Sequence, residues 1–179
     1  MIKPLLYTSP KGRAIFPHLT EPDIKYKAEG EYHVKLECDK SESAILIDAI
    51  GNIIATEIKK QHDVDPKKQI TKAPLPYEIV EDKVIFNFKM KASGKRRSDG
   101  KEFTMSPDLR SADMTRFPDD KQIWGDSILR ITLNPVGWNM PIGIGCTLRI
   151  KHVQVIDLVT GNADNNVGDL KPEVENNLI

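Results

Sequence analysis

The sequence predicts a mostly β fold with one main helix and long loops. Apolar residues make up 39% of the 179 residues and are accompanied by 12 prolines and 11 glycines, a composition typical of strands joined by many turns. Four segments, at 31–38, 84–91, 127–133 and 146–158, alternate apolar and polar residues with the period of a half-buried strand. Residues 39–61 change to a helical spacing instead.

The predicted helix follows the first two predicted strands. Residues 13–19 form the first strand, which Pro17 places at an edge or a bend. Asp39 or Ser41 is the expected helix N-cap, and the helix should end near residues 59–61. Its apolar face has spacings of three and four residues and consists of Ile47, Ile50, Ile54 and Ile58. No chemical motif lies on this helix, so its predicted role is structural.

Positive charge is concentrated in one strand and in the loop that follows it. Segment 84–91 has an apolar face and a cationic face, and the Asp99-Gly100 pair after it predicts a hairpin turn. Residues 89–101 carry a net charge of +5, whereas the whole chain has 26 basic and 26 acidic residues and is neutral. A charged hairpin can be merely a solvated loop, but charge segregated onto a strand and its loop is also typical of polyanion binding.

Two later strands repeat the basic outward face. The strand before residue 134 directs Arg130 outward, and the last strand directs Arg149 and Lys151 outward. The alternation in the last strand slips by one residue near His152, which predicts a β-bulge there. The stretch between these two strands, 134–139, is predicted to be a turn.

Three basic strand faces and a basic hairpin predict a groove that follows a phosphate backbone. The predicted DNA-binding cations are Lys89, Lys91, Lys95, Arg96, Arg97, Lys101, Arg130, Arg149 and Lys151. Bases also need aromatic platforms, and the candidates are Phe103, Trp138, Tyr77 and Phe117, of which Phe103 and Trp138 join the predicted DNA-binding set. Core packing is the alternative role for each aromatic residue, and for Trp138 the two roles are evenly balanced. Phe86 and Phe88 are expected in the core.

Signals for catalysis, metal binding and membrane insertion are missing from the sequence. The histidines are scattered singly, so we predict no metal and no other cofactor. Without a Walker loop, a Rossmann glycine pattern or a nucleophile elbow, we expect no enzymatic activity. No apolar run approaches the roughly 20 residues of a membrane span, and the N-terminus lacks the apolar core of a secretory signal. Cys38 and Cys146 are expected to be buried reduced thiols rather than a disulfide.

Several segments carry, by their order and spacing, a resemblance to one known family. They are GEYHVKL (30–36), KAPLPYE (72–78), VIFNFKMKAS (84–93), WGDSILRI (124–131), NPVGWN (134–139), GIGCTLRI (143–150) and VQVIDLV (153–159). Together they resemble the single-stranded DNA-binding proteins of podovirus replication systems, those of the T-seven-like phages and their relatives. The resemblance covers most of the chain.

That resemblance implies an OB-fold, a five-stranded Greek-key barrel, with an inserted helix. It implies a DNA-binding domain at 1–160. The composition of residues 161–179 predicts a polar, weakly acidic C-terminal tail. The implied function is sequence-independent binding of single-stranded DNA in phage replication and recombination, in the host cell cytoplasm. Contacts with phage DNA polymerase and helicase-primase through the tail are also implied, whereas strand annealing and a homodimer are left open.

Two features depart from that family, and two other functions are weighed against it. From Asp164 on, the tail carries a net charge of −3 and ends in Ile179, where the family has a long, strongly acidic tail with an aromatic last residue. Val136 stands where an aromatic residue is expected, so stacking either falls to Trp138 or Phe103 or is weaker. The alternative functions are a structural virion or tail β-domain that docks another protein, and a small β-barrel enzyme acting on nucleotides.

Overall fold

The computed structural model describes residues 3–160, so the predicted tail at 161–179 lies outside the described residues. The elements in chain order are β1 (Tyr7–Thr8), β2 (Gly12–Asp23), β3 (Glu31–Asp39), a 3₁₀ turn (Lys40–Glu42), α1 (Ala44–Val64), β4 (Tyr77–Val80), β5 (Lys83–Lys91), β6 (Ser93–Lys95), β7 (Glu102–Thr104), β8 (Asp108–Ser111), β9 (Ile128–Met140) and β10 (Gly143–Asp157). The prediction of a mostly β fold with one main helix is confirmed.

Five long strands close into a barrel. They are hydrogen-bonded in the order β2-β3-β5-β10-β9, and β9 pairs with β2 to complete the ring. The β5–β10 pair is parallel, and the other four pairs of the ring are antiparallel. This is the Greek-key barrel of the OB-fold, with α1 inserted between the second and third barrel strands. The predicted architecture is therefore confirmed.

The barrel interior is filled by the inward-facing residues of alternating strands, as in other small barrels. Phe86, Phe88, Leu133, Leu148 and Ile150 are each at most 1% exposed. Their burial confirms that the period of two had assigned the apolar faces correctly, including the core positions of Phe86 and Phe88.

The helix differs from its prediction at both ends. Neither Asp39 nor Ser41 is its N-cap, because residues 40–42 form the 3₁₀ turn first and Ser43 precedes the helix. The Ser43 hydroxyl donates a hydrogen bond of 2.7 Å to the Asp39 carbonyl. The helix then continues to Val64 rather than ending near residue 60.

The helix packs against the inward face of β9, where a glycine makes room for it. A Cβ atom at Gly137 would lie 2.6 Å from Cγ of Glu57 and 3.0 Å from Cγ2 of Ile53. The helix thus approaches the strand backbone closely at this point. Val136 and Trp138, the neighbours of Gly137, point to the opposite, outward face because side chains alternate along a strand.

The predicted turn at 134–139 is wrong, because β9 runs through it to Met140. The chain turns at 141–142 instead, directly before β10. Pro135 fits inside the strand because the edge of β9 that faces β1 is paired only as far as Leu133, so no partner on that edge needs a proline N–H. The correction matters for function, since it places Trp138 on a regular strand.

The predicted β-bulge in the last strand is confirmed. The register between β9 and β10 shifts between Ile150 and His152, so that Lys151 is the extra residue. Arg149 is outward-facing and exposed before the bulge, and His152 is exposed after it. Because of the bulge, the core residues on both sides of it, Ile150 and Val153, remain buried while Arg149 and His152 remain exposed.

Both thiols are buried and form no disulfide, as expected. Burial raises the pKa of Cys38 to about 12 and that of Cys146 to about 11. Protonated buried thiols are inert as nucleophiles and as metal ligands. Among residues 3–160 no helix combines the length and the apolar character needed to cross a membrane.

Candidate nucleic-acid interface

Outward-facing residues of four neighbouring barrel strands form a continuous row. His33 of β3 is paired with Lys89 of β5, and Lys89 is paired with Arg149 of β10. Arg149 is in turn paired with Asn134 of β9. Directly paired residues on one face of a sheet have Cβ atoms roughly 5 Å apart. We call His33, Lys89, Arg149 and Asn134 the central row.

The exposed side chain of Lys91 lies next to the central row. It is two residues beyond Lys89 on the same face of β5, and its cross-strand partner is Glu31. Glu31 already accepts an ion pair of 2.9 Å from Lys27, so the charge of Lys91 is not taken up by it. On the other side of the row, Lys35 is exposed and pairs with the outward-facing Asn87.

Within residues 3–160 the predicted DNA-binding cations have no carboxylate partner, a property that they share with other exposed lysines such as Lys59 and Lys68. None of the nine forms an ion pair with a carboxylate within residues 3–160, whereas Arg13, Lys83 and Arg110 each do. The direct pairing of Lys89 with Arg149 is itself unfavourable, because like charges opposite one another destabilise a sheet. Unpaired cations held side by side leave a positive potential for an external anion.

Trp138 supplies a flat aromatic surface beside the central row. It is on β9, two residues beyond Val136 and four beyond Asn134, on the same outward face. Its partner on β10 is Gly145, and the indole ring lies directly over that glycine. The indole Nε1 donates a hydrogen bond of 2.9 Å to Thr147 Oγ1, which fixes the plane of the ring. Trp138 remains partly exposed and is therefore available for stacking.

Replacing Gly145 by alanine is expected to displace the indole, because the added Cβ would overlap the six-membered ring. We expect a loss of about 1–3 kcal/mol in the free energy of unfolding, as for other overpacked sites. Urea unfolding and the Trp emission spectrum measure this effect.

The matched control is Gly51→Ala, which places its Cβ in open space on the helix and should stabilise the protein by about 0.5–1 kcal/mol. An equal free energy of unfolding and an equal Trp emission spectrum in the two alanine variants would contradict the close packing of Trp138 on Gly145.

The basic hairpin follows directly from the end of β5. Strands β6 and β7 pair antiparallel, and the backbone N–H of Arg96 donates to the Lys101 carbonyl at 2.9 Å. Gly100 has φ +68°, which confirms the turn expected at Asp99-Gly100. The side chains of Lys95, Arg96, Arg97 and Lys101 are all exposed. The hairpin thus extends the positive charge of β5 beyond the barrel.

Phe103 is placed in the same manner as Trp138. It is the cross-strand partner of Gly94, and a Cβ atom at Gly94 would lie 3.0 Å from its ring. Phe103 is partly buried against the hairpin and partly exposed. Both aromatic residues of the predicted DNA-binding set therefore cover a glycine on a neighbouring strand and keep part of their surface open.

Tyr77 and Phe117, the other two aromatic candidates, are not placed for stacking. Phe117 is only 5% exposed and belongs to the core. The Tyr77 ring packs against that of Phe86, with centroids 5.9 Å apart. For these two residues the alternative role in core packing is the correct one.

Two of the nine predicted cations lie neither in the central row, nor beside Lys89 on β5, nor in the hairpin. Arg130 lies on the outward face of β9 opposite Gln154, four residues and roughly 13 Å from Asn134. Lys151 occupies the bulge. Sequence reasoning also missed His33 and Asn134 in the central row. The alternation at 31–38 had put His33 on the polar face. Its pairing with Lys89 depends on the register between β3 and β5, which the sequence does not show.

The barrel order places the chain in the OB-fold class, whose members include proteins that bind oligonucleotides and oligosaccharides. Within that class the chain is similar to gp2.5, a single-stranded DNA binding protein encoded by bacteriophage T7, with a TM-score of 0.76 and 19% identity over 99% of each chain. It is also similar to the single-stranded DNA-binding protein of bacteriophage Enc34, with a TM-score of 0.56 and 14% identity over 88% of this chain and 84% of that one.

The Enc34 protein in complex with ssDNA is likewise similar, with a TM-score of 0.56 and 14% identity over 88% of this chain and 89% of that one. At these identities the similarity shows a shared fold. No protein-family model matches the sequence, and no curated protein matches it significantly.

Proposed function

We propose that this chain binds single-stranded DNA without sequence preference. The observation that carries the proposal is the central row. Its Lys89 and Arg149 lie side by side without ion pairs, on the same outward face of the barrel as the Trp138 indole. Cations that follow a backbone and aromatic rings that stack on any base are the two parts of sequence-tolerant binding. The similar phage proteins, one of them in complex with ssDNA, support it.

In the proposed complex the phosphates contact Lys89, Lys91 and Arg149 on the barrel, and one base stacks on Trp138. The hairpin covers the DNA strand and contacts its phosphates through Lys95, Arg96, Arg97 and Lys101. Phe103 offers a second stacking surface. Arg130 binds a more distant part of a longer DNA strand, because it lies away from the central row, and Lys151 contributes from the bulge two residues beyond Arg149. Phosphate contacts give salt-dependent affinity, and stacking gives affinity that persists at high salt.

The biological role that fits this binding is protection and organisation of single-stranded DNA during phage replication and recombination. We further propose that the chain has no enzymatic activity and works in the host cell cytoplasm. The tail at 161–179 is proposed to contact phage DNA polymerase and helicase-primase, and strand annealing and homodimer formation extend the same proposal. The phage origin of the similar structures supports this role.

A structural virion or tail β-domain is the alternative function. It would use the basic face to dock another protein and would have no affinity for DNA at physiological salt. The similar structures named above are DNA-binding proteins and do not favour it.

Tryptophan fluorescence tests the proposal most simply. The chain has two tryptophans, so a Trp124→Phe variant leaves Trp138 as the only indole. Stacked bases should quench its emission when oligo-dT is added, and the quenching should saturate. Thymidine monophosphate at the same base concentration should not quench, because it lacks the phosphate backbone that holds the base in place. Equal quenching by both, or none by either, would contradict the proposed function.

A further inference from the structure

Two histidines and a carboxylate meet where the irregular part of β2 crosses β3. His18 of β2 is the cross-strand partner of His33, and the strand register shifts on both sides of His18. The shift lets Asp23, at the end of β2, reach His33, and its Oδ2 lies 3.0 Å from His33 Nε2. One possible ligand atom from each of the three residues lies within 4.8 Å of the others. No second group of this kind is found within residues 3–160.

The Asp23 and His33 side chains are already oriented toward each other, and His18 lies beside them. The Asp23 carboxylate is fixed by its Oδ1, which accepts a hydrogen bond of 2.9 Å from the backbone N–H of Lys25, and this leaves Oδ2 for His33. The His18 and His33 rings are 4.7 Å apart between centroids. His18 is exposed, and its side chain forms no hydrogen bond with residues 3–160.

The backbone of β2 is strained next to this cluster. Phe16, two residues before His18, has φ +48°, in the left-handed region that non-glycine residues rarely adopt. Its ring is 78% exposed, so core packing does not explain the conformation. Strained backbone clusters at functional sites. Here the strained segment lies where the register shift begins that brings His18 opposite His33.

We propose that His18, Asp23 and His33 bind a divalent first-row transition metal ion, for which Zn²⁺ is the probe. Imidazole nitrogens and a carboxylate oxygen are ligands that such ions accept, with ligand distances of about 2.0–2.2 Å. Two ligands of one tetrahedral ion are therefore roughly 3.3 Å apart. The His33–Asp23 pair already has nearly this spacing, so only the exposed His18 side chain has to move. The fourth coordination position is left to water.

The neighbouring residues determine the metal affinity of the proposed site and what a bound ion would do to the fold. Lys89 is the neighbour of His33 on β5 and opposes a bound cation, so the affinity should be lower than that of a closed structural zinc site. The ion would connect the irregular end of β2 to β3 and hold the connection between them, residues 24–30, in place. An ion that binds the folded state but not the unfolded state raises the melting temperature.

A second histidine–aspartate pair in the same barrel provides the matched control. His152 Nδ1 lies 2.8 Å from Asp108 Oδ2. However, both Asp108 oxygens are already engaged by Arg110, at 2.9 and 3.0 Å. The Arg110 cation occupies the place that a metal ion would take. His152 should therefore contribute nothing to metal binding.

Calorimetric titration of the full chain with ZnCl₂, in a buffer that does not chelate zinc, tests the site. We expect one ion per chain and a melting temperature raised by roughly 5–10 °C at about 100 Kd of free zinc, reversed by EDTA. His18→Ala and Asp23→Asn should each weaken the affinity by at least about tenfold, with unchanged circular dichroism. The His152→Ala variant should bind zinc as the original chain does.

Two results would overturn the proposal. One is the absence of saturable zinc binding by the original chain. The other is a zinc affinity that His18→Ala and Asp23→Asn leave unchanged, or that His152→Ala lowers equally. Asp23→Asn keeps the shape of the side chain and the acceptor for the Lys25 N–H, so a folding defect does not obscure its effect. The titration contains no DNA, and its result is therefore independent of the proposed function.

Discussion

Replacing Trp138 by alanine is expected to weaken the binding of oligo-dT by roughly 5- to 150-fold. This range corresponds to about 1–3 kcal/mol for one stacked base. The indole is suited to stacking because it lies on Gly145, is fixed by its hydrogen bond to Thr147 and remains partly exposed. The loss should persist at high salt, since stacking does not depend on counterion release. Fluorescence anisotropy of a labelled oligo-dT at low and high salt measures it.

Trp124 provides the control for this prediction. It is 46% exposed and lies before the start of β9, at the opposite end of that strand from Trp138. Trp124→Ala should leave the affinity for oligo-dT within about twofold of the original, which is the scatter of surface substitutions. If both tryptophan variants bound as tightly as the original, base stacking on Trp138 would be ruled out.

Removing the two charges at the centre of the row is the second substitution with a large expected effect. In the Lys89→Gln/Arg149→Gln variant two phosphate contacts are lost, so the slope of log K against log salt should become shallower by about 1.4. At about 0.1 M salt the same two contacts correspond to a roughly 25-fold loss of affinity. Every DNA sequence should be affected equally, because phosphate contacts do not read bases.

The same double variant should unfold at a slightly higher urea concentration, because it removes the repulsion between two paired cations. The control variant, Lys59→Gln/Lys68→Gln, changes the net charge equally but removes exposed lysines of α1 and of the loop after it. It should keep both the salt slope and the affinity. A lower stability together with an unchanged salt slope in the central-row variant would show that these cations serve the fold and not the DNA.

The sequence predicted the faces of the strands because a strand's side chains alternate locally. Phe86 and Lys89 could be assigned to the core and to the surface from their neighbours alone. The partners of a strand, in contrast, are set by register between distant segments. The sequence could not show that Lys89 lies beside Arg149 while Arg130 lies roughly 13 Å along β9. Which basic residues face outward was therefore predictable, but their arrangement across the strands was not.

Trp138 illustrates the same limit. An Asn-Pro pair at 134–135 suggested a turn, and only the unpaired edge of β9 allows Pro135 to stay in the strand. The choice between core and surface for the indole was evenly balanced in the sequence. It is decided by Gly145 on the next strand, whose missing side chain lets the ring lie flat on the outward face.

The histidines were scattered singly in the sequence, and no metal site was predicted for that reason. His18 and His33 are fifteen residues apart, and they become neighbours only through the irregular pairing of β2 with β3. Ligand spacing along a chain reveals sites on one helix or one loop. A site made across two strands leaves no such pattern.

The central claim is that the barrel face binds single-stranded DNA through its backbone. Anisotropy of labelled oligo-dT, titrated with the full chain at several salt concentrations beside a duplex of equal length, tests it most directly. The predicted result is tight single-strand binding that weakens linearly with log salt, and clearly weaker duplex binding. Equal and weak binding to both would contradict the claim, and the basic face would then be a charged surface for docking a protein.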